Sequence, residues 1–283
     1  MFDPLRPYVA VLSARYRMLL QYRAAALAGF ATQLFWGAIK VMIMAAFYGV
    51  ANAATPMTYA QVVTYVWLGQ ALLGLLPWNV DAELQEKMMT GSVAYELLRP
   101  LDLYAFWFAR TMALRTATTT LRVLPMVIVV GVIMPLVGLG TWALPPPHSL
   151  VGGVMFAVSM GVTVLLATAI TMILHIALIW TLSGRGFNSI MTGVVIVLSG
   201  MVIPLPLFPD WLQGFLYWQP FRGLADVPYR IYSGNIAVDA AAFEILLQLL
   251  WTAAIVALGY VVLERARARV VVQGGLMRAA VAL

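Results

Sequence analysis

The sequence predicts an all-α integral membrane protein with six transmembrane helices. Hydrophobic residues make up 63% of the chain and charged residues only 10%, whereas about a quarter of the residues in ordinary soluble domains are charged. The apolar residues also occur in runs long enough for helices that each need about 20 residues to cross a bilayer. Since no soluble domain or low-complexity linker is visible, we expect residues 1–283 to form a single transmembrane domain.

Turn-forming residues separate the apolar runs and set the approximate ends of the spans. The runs place the six helices at roughly 24–51, 58–80, 110–140, 150–182, 188–204 and 239–263. The breaks between them contain the stretches "NAATPM", "LGTWALPPPHS" and "SGRGFN" and a proline-rich stretch after Met201.

The basic residues predict the orientation, because loops that stay in the cytoplasm are enriched in Lys and Arg. Of the 17 basic residues, only Arg222 and Arg230 fall on the outer side, and Lys40 lies inside the first span. The other 14 fall on the side that holds both termini. We therefore expect cytoplasmic termini and a location in the cytoplasmic (inner) membrane. Nucleic-acid binding is disfavoured because the basic residues are scattered along span ends instead of gathered on one face.

Residues 4–22 precede the first span and have an amphipathic pattern. The apolar residues that recur on one helical side are Leu5, Val9, Leu12, Tyr16, Leu19 and Leu20. Arg6, Arg15 and Arg17 fall on the flanks of this side or away from it. This pattern predicts a helix that lies in the cytoplasmic membrane interface. The alternative is a cytoplasmic extension of the first span whose arginine heads reach back to water.

Residues 81–102 form a charged cytoplasmic segment between spans two and three. Glu83, Glu86 and Lys87 belong to a short polar helix that Gly91 can end. Ser92 is expected to cap a second short helix, and Pro100 stops it. Asp102 can then cap the helix that leads into span three.

This hairpin is expected to present Leu97, Leu98 and Arg99 to the cytoplasm. Exposed leucines beside charges favour a protein partner. The alternative is a solvated loop whose leucines rest on the bilayer surface.

Two stretches in this order resemble a known family. They are "LQEKMMTGSVAYELLRPLD" in the charged segment and "LSGMVIPLPLFPDWLQGFLYWQPFRGLADVPYRIYSG" at residues 198–234. Together with the amphipathic start, the six spans and the basic tail at 264–283, which includes "ERARARVVVQGG", they resemble ABC-2-type permeases, the membrane subunits of a class of ABC exporters. The likeness is strongest to a branch whose permeases are often encoded in pairs beside one ATPase.

The resemblance implies that residues 81–102 contain a coupling helix that rests on a dimer of cytoplasmic ABC ATPases. It implies that residues 4–22 are an elbow helix, and that the chain pairs with a second copy or a sister permease. The sequence has no G-x-x-x-x-G-K-[ST] phosphate loop. We therefore expect no cofactor on this chain, with ATP and Mg bound by the partner ATPase, and no enzymatic activity of its own. The implied function is ATP-driven export of a hydrophobic, amphipathic or polymeric substrate.

The proline-rich stretch at 204–236 stays apolar and aromatic although prolines interrupt it. Broken backbone at membrane depth is tolerated only where it is buried in protein or lines a cavity. We therefore predict an outer re-entrant helical hairpin that forms part of a gate, with Pro204, Pro206, Phe208, Pro209, Trp211, Pro220 and Phe221 as its residues. The alternative is an interfacial aromatic belt formed by Trp211, Tyr217 and Trp218.

Few ionisable residues fall inside the spans. Lys40, His175 and Glu244 are the candidates, because a charge in the membrane is usually functional. Lys40 and Glu244 could share a depth and pair, whereas His175 could be a satisfied packing residue. The sequence has neither a catalytic constellation nor metal-ligand spacing. A secondary transporter and a membrane-embedded enzyme stay open as alternatives, although inverted repeats and clustered titratable residues are not evident.

Overall fold

The computed structural model of the chain describes residues 5–50, 55–181 and 185–281, and all regular secondary structure in these residues is helical, as predicted. The α-helices in chain order are α1 (Arg6–Leu19), α2 (Arg23–Val50), α3 (Tyr59–Ala71), α4 (Ala82–Met89), α5 (Ala94–Leu97), α6 (Leu103–Val127), α7 (Met134–Leu136), α8 (Leu150–Thr181), α9 (Arg185–Leu198), α10 (Asp210–Trp218), α11 (Asp226–Tyr232) and α12 (Val238–Val281). A π-helical stretch, Ile128–Ile133, joins α6 to α7.

Four helices in these residues are long and apolar enough to cross a membrane, judged by length and composition. They are Arg23–Val50, Leu103–Leu136, Leu150–Ile179 and Val238–Ala266. The other two predicted spans correspond to α3 and α9, which have 13 and 14 residues. The described residues thus form an all-helical multi-pass membrane protein. The predicted basic tail continues α12 without a break to Val281. Residues 1–4, 51–54, 182–184 and 282–283 lie outside the described residues; they include the first residue of the predicted interfacial helix, parts of the predicted breaks after spans one and four, and the end of the predicted tail.

Helix α3 lies at the centre of the molecule. Ten of its residues, 62–71, are buried, because the helix packs against α2, α6 and α11. Its start is fixed by a reciprocal capping box, in which the side chains of Thr58 and Gln61 each accept a hydrogen bond from the other's backbone. A helix that is apolar on all sides requires such an enclosed position. Trp67 fills the centre and donates from Nε1 to the carbonyl of Trp142 at 2.6 Å.

The long helices pair along their lengths. Helix α8 packs mainly against α12, and α1 packs mainly against α6. Tyr8 and Tyr16 fix α1 beside α6: Tyr8 Oη accepts from the backbone nitrogen of Asp102 at 3.1 Å, and Tyr16 Oη donates to Thr120 Oγ1 at 3.1 Å. The predicted amphipathic helix is therefore present. One of its sides joins the protein core, and Val9 and Met18 stay exposed on another.

Trp67→Ala is expected to lower the free energy of unfolding by about 3–5 kcal/mol, because it opens a cavity in the centre of the bundle and removes a buried hydrogen bond. The measurement is unfolding of the purified protein in detergent by titration with a denaturing detergent. Trp36→Ala is the matched control, since Trp36 is 54% exposed on α2 and its truncation should cost under about 1 kcal/mol. Equal losses for the two variants would contradict the central position of α3.

Candidate functional site

The charged segment at 81–102 folds as a helix, a glycine break, a short helix and a proline-marked stop. Asp81 caps the start of helix α4, because its side chain accepts from the backbone nitrogen of Glu83. Gly91 follows α4 with φ of 73°, a left-handed conformation in which glycine avoids the strain of a side chain. Asp102 caps α6 by accepting from the backbone nitrogen of Ala105 at 2.7 Å. These features confirm the predicted roles of Gly91 and Asp102 in the local structure.

Ser92 does not cap the second short helix, and this prediction was wrong. The residue before α5 is Val93, which has helical backbone angles and no capping side chain. Ser92 Oγ instead lies 2.9 Å from Thr90 Oγ1 and within 3.5 Å of the carbonyl of Lys87. The hydroxyl therefore closes the preceding turn, because Gly91 directs the chain back over the end of α4.

Glu83 forms the centre of an ion-pair cluster that joins α4 to α1 and α6. Arg110 Nη2 lies 2.9 Å from Glu83 Oε1, and Lys87 Nζ lies 3.0 Å from the same oxygen. Arg15 of α1 pairs with the other carboxylate oxygen of Glu83. Arg15 also lies 3.0 Å from Asp81 Oδ2. The cluster therefore connects three helices through one carboxylate.

Glu96 of α5 extends the same cluster. Its Oε1 atom lies 3.0 Å from Arg110 Nη1 and 2.9 Å from Lys87 Nζ. Its Oε2 atom accepts from Trp107 Nε1 at 2.7 Å. Because Glu96 is 6% exposed, these donors replace the water that the carboxylate loses on burial. The two short helices are thus held to each other and to α6.

The pKa values of both glutamates reflect the balance between burial and the surrounding basic groups and donors. Desolvation raises the pKa of Glu83, but the hydrogen bond from Lys87 and the charges of Arg110 and Arg15 outweigh it and lower the value to about 2. Burial likewise raises the pKa of Glu96, and Lys87, Trp107 and Arg110 shift it below its ordinary value. Both carboxylates therefore stay ionised at any physiological pH.

A second group of contacts holds the stretch between α3 and α4. Arg115 donates from Nη1 to the carbonyl of Leu76 at 2.9 Å and to Asn79 Oδ1 at 2.8 Å, and from Nε to Thr171 Oγ1 at 3.1 Å. His175 Nε2 accepts from the backbone nitrogen of Asp81 at 2.9 Å. Helices α6 and α8 thus fix the path of the chain into the charged segment. His175 is fully buried and has protein partners.

Apart from Ser92 and Leu97, the predicted coupling residues fall into two groups. Glu83 and Lys87 belong to the ion-pair cluster. Glu86, Gly91, Leu98, Arg99 and Pro100 are exposed, with Leu98 at 81%. The Arg99 guanidinium lies 5.1 Å from the centre of the Phe106 ring, so this charge is positioned by α6. The side chain of Leu97 lies outside the described residues. Tyr95, 74% exposed, joins the exposed group and was missed.

The arginines of α1 also differ in exposure. Arg6 and Arg17 are exposed, as predicted, and Arg17 Nη2 donates to Ser13 Oγ at 3.0 Å. Arg15 does not lie on a solvent-facing flank. Its side chain is 13% exposed and faces Asp81 and Glu83, because two carboxylates of α4 lie opposite it. The sequence prediction for Arg15 is therefore corrected.

The proline-rich segment forms short helices whose exposed backbone groups are satisfied by glutamines. Gln219 donates to the carbonyls of Leu198 and Leu216 at 2.8 and 3.2 Å, and its Oε1 accepts from the backbone nitrogen of Phe221 at 2.6 Å. Gln213 Nε2 donates to the carbonyls of Leu205 and Phe208. These bonds replace the regular helical pairs that the prolines remove.

The predicted gate residues are buried to different extents. Pro204 is buried, Pro206, Phe208, Pro220 and Phe221 are half-buried, and Pro209 and Trp211 are exposed. Trp211 and Trp218 are 80% and 59% exposed. One buried proline and two exposed tryptophans therefore coexist here, so a packed hairpin and an aromatic belt are compatible.

A second charge cluster involves the proline-rich segment and α12. Arg222 Nη1 lies 2.9 Å from Glu244 Oε2, and Arg230 Nη1 lies 3.2 Å from Asp226 Oδ2. These four residues line part of a cavity of about 350 Å³. Lys40 does not pair with Glu244, and this prediction was wrong. Its Nζ donates at 3.1 Å to the carbonyl of Met201, because the end of α9 leaves this oxygen without a helical partner.

Several functional candidates escaped sequence reasoning. Arg110 and Arg115 were interpreted only as signs of orientation, and Glu96 and Gln219 were passed over. One signal in the sequence could have indicated these contacts: several acidic residues lie in one short segment, and arginines follow at the start of the next span. Among the described residues, no group of three His, Asp or Glu side chains is placed to hold a metal ion.

Residues 34–274 match the family described as ABC-2 family transporter protein. The matched region includes the whole charged segment and the whole proline-rich segment. No curated protein matches the chain.

Arg110→Met is expected to cost about 3–5 kcal/mol of unfolding free energy, because it leaves the carboxylates of Glu83 and Glu96 partly uncompensated. Thermal unfolding in detergent, followed by the loss of the monodisperse peak, measures the effect. The matched control is Arg17→Met, which removes an exposed arginine of α1 and should change little. If Arg110→Met unfolds at the temperature of the control, the cluster does not hold the segment.

Proposed function

Because the chain belongs to the ABC-2 transporter family, we propose that it is the transmembrane subunit of an ATP-driven exporter in the cytoplasmic membrane. The substrate class is hydrophobic, amphipathic or polymeric. Two such subunits, identical or sister chains, assemble with a dimer of cytoplasmic ABC ATPases, which bind ATP and Mg. One observation carries the proposal: the ion-pair cluster around Glu83 and Glu96 joins the charged segment to α1 through Arg15 and to α6 through Arg110.

The charged segment is the coupling element in this proposal. Its exposed residues, Leu98 and Arg99 among them, form the surface that the ATPase contacts. A surface of this kind combines apolar anchors with charges that set orientation. Since the cluster fixes α4 and α5 to α6, a push on Leu98 displaces the segment as a unit. Residues 6–19 move with it through Arg15 and thus act as the elbow helix.

Helix α8 connects the two ends of the molecule in the proposed mechanism. His175 of α8 accepts from the backbone of Asp81 at one end. Thr163 of α8 donates to the carbonyl of Gly223 in the outer segment at 3.0 Å, and Gln248 of α12 donates to the same carbonyl at 2.7 Å. Along α8, Thr163 and His175 are about 18 Å apart. Displacement of the coupling segment therefore shifts the outer segment and opens an exit for substrate.

Six membrane crossings complete the proposed topology. Helix α3 with its following 3₁₀ turn covers about 17 residues, the lower limit for a crossing, and the surrounding helices shield it. Helix α9 and the outer segment together form the fifth crossing and a re-entrant hairpin at 204–236. Lys40, Gln213 and Gln219 support this proposal because they satisfy the interrupted backbone, as membrane depth requires.

The topology is tested by placing single cysteines in a chain that has none. Ala82 and Ala237 are both exposed and lie at the starts of α4 and α12. In intact cells, Ala237→Cys should react with a membrane-impermeant thiol reagent and Ala82→Cys should not, whereas in inverted vesicles Ala82→Cys should react and Ala237→Cys should not. Labelling of Ala82→Cys from outside would overturn the orientation and with it the coupling role.

Leu98→Asp should weaken capture of the ATPase about 30-fold, which corresponds to a loss of about 2 kcal/mol at an apolar anchor. Arg99→Glu should reduce ATP turnover that depends on transport. Pull-down of the co-expressed ATPase and its turnover in reconstituted vesicles measure the two effects. Leu150→Asp is the matched control, because Leu150 is 87% exposed at the end of α8 that is far from the charged segment. Normal capture and turnover in both test variants would contradict the coupling role and favour a solvated loop.

A further inference from the structure

Three arginines of α6 differ in their partners. Arg110 contacts carboxylates, and Arg115 contacts carbonyl and side-chain oxygens. The salt bridges among the described residues do not include Arg122. Its charge therefore lacks a carboxylate partner in the described part of the chain, although it lies on a helix that enters the membrane. A charge in such a position requires compensation.

The Arg122 guanidinium lies against α2. A Cβ atom at Gly29 would lie 2.9 Å from its Cζ and Nη2 atoms, so a larger residue at this position would displace the guanidinium. When the Gln33 amide is oriented to donate to the carbonyl of Gln70, its oxygen accepts from Arg122 Nη1 at 3.3 Å. The Arg122 Nε atom is buried without a hydrogen-bond partner. The protein thus positions the group but uses only part of its donor capacity.

A cavity of about 270 Å³ opens beside this guanidinium. It lies where α1 turns into α2 and is lined by Tyr22, Ala25 and Ala26 on that side and by Thr118 and Arg122 on α6. Among the described residues that line it, only Arg122 carries a charge. Apart from the hydroxyl-bearing residues Tyr22 and Thr118 and one cation, the residues that line the cavity are apolar, which is complementary to an amphipathic anion.

The depth of the cavity matches a lipid headgroup. Gly29 follows the first residue of α2, Arg23, by six positions, or about 9 Å of helix. The polar layer on each side of the hydrocarbon core is about 5–8 Å thick. With Arg23 placed at the outer edge of this polar layer, Arg122 lies near the boundary between headgroups and acyl chains. Beyond the cavity, Leu27 is 59% exposed and offers an apolar surface to an acyl chain.

We propose that this cavity binds the phosphate of an anionic phospholipid, with Arg122 as the residue that recognises it. The lipid comes from the leaflet at the α1–α2 turn, and its acyl chains lie along α2. The anionic headgroup compensates the charge of Arg122 and fixes the α1–α2 turn against α6. This proposal does not depend on ATPase coupling, because it concerns the isolated chain.

The test is titration of the purified full chain in detergent with phosphatidylglycerol, followed by native mass spectrometry and by thermal unfolding. Phosphatidylglycerol should bind and raise the unfolding temperature, whereas phosphatidylcholine should bind at least about fivefold more weakly. Inorganic phosphate alone should have no effect, because it lacks the acyl chains. Equal stabilisation by inorganic phosphate, or by phosphatidylcholine, would overturn the proposal.

Two variants locate the site. Arg122→Gln should weaken phosphatidylglycerol binding about fivefold or more, the effect expected for one cation near a lipid headgroup. Ala25→Phe keeps the charge but fills the cavity, and it should weaken binding to a similar extent. Arg23→Gln is the matched control, since Arg23 is exposed nearby and does not line the cavity. Loss of binding in the control equal to that in Arg122→Gln, or unchanged binding in both site variants, would overturn the proposal.

Discussion

The contacts of Arg110 with Glu83 and Glu96 join the short helices outside the spans to the long helix α6 that enters the membrane. Each carboxylate has at least two basic partners, so neither charge needs water for its compensation. Helices of eight and four residues are too short to be stable alone. Their positions therefore depend on these ion pairs and on the side chains of Leu84, Val93 and Trp107, which are buried in one cluster. The proposed coupling surface depends on them in turn.

The backbone at the other end of the molecule is held by different chemistry. The prolines interrupt helical pairing between α9 and α12, and the amides of Gln213, Gln219 and Gln248 bind the carbonyls that are left. A glutamine amide both donates and accepts, which lets Gln219 contact carbonyls and backbone nitrogens at once. Irregular backbone can persist there because its polar groups are paired within the protein.

Local features were predictable from the sequence because they depend on neighbouring residues. The six apolar runs, the left-handed Gly91 and the cap at Asp102 follow from composition, chain reversal and side-chain reach. Arg15 and Lys40 were interpreted incorrectly because their partners are distant in sequence: Arg15 contacts residues 66 and 68 positions away, and Lys40 contacts Met201, 161 positions away. Periodicity places a residue on a helical face but does not identify the element that will pack there.

The ion pairs of the charged segment and the glutamine hydrogen bonds of the proline-rich segment respond differently to salt in the surrounding solution. Dissolved salt screens attraction between partly exposed charges over about 8–10 Å, so the contacts of Glu83, which is 40% exposed at its side chain, weaken as ionic strength rises. Hydrogen bonds from a buried, uncharged amide such as Gln219 are not screened in this way. Ionic strength thus acts more strongly on the contacts of Glu83 than on the ion pairs of Arg222 and Arg230 at the far end, whose carboxylate partners are at most 10% exposed. The molecule can be loosened at the charged segment while the interrupted backbone at the far end stays paired.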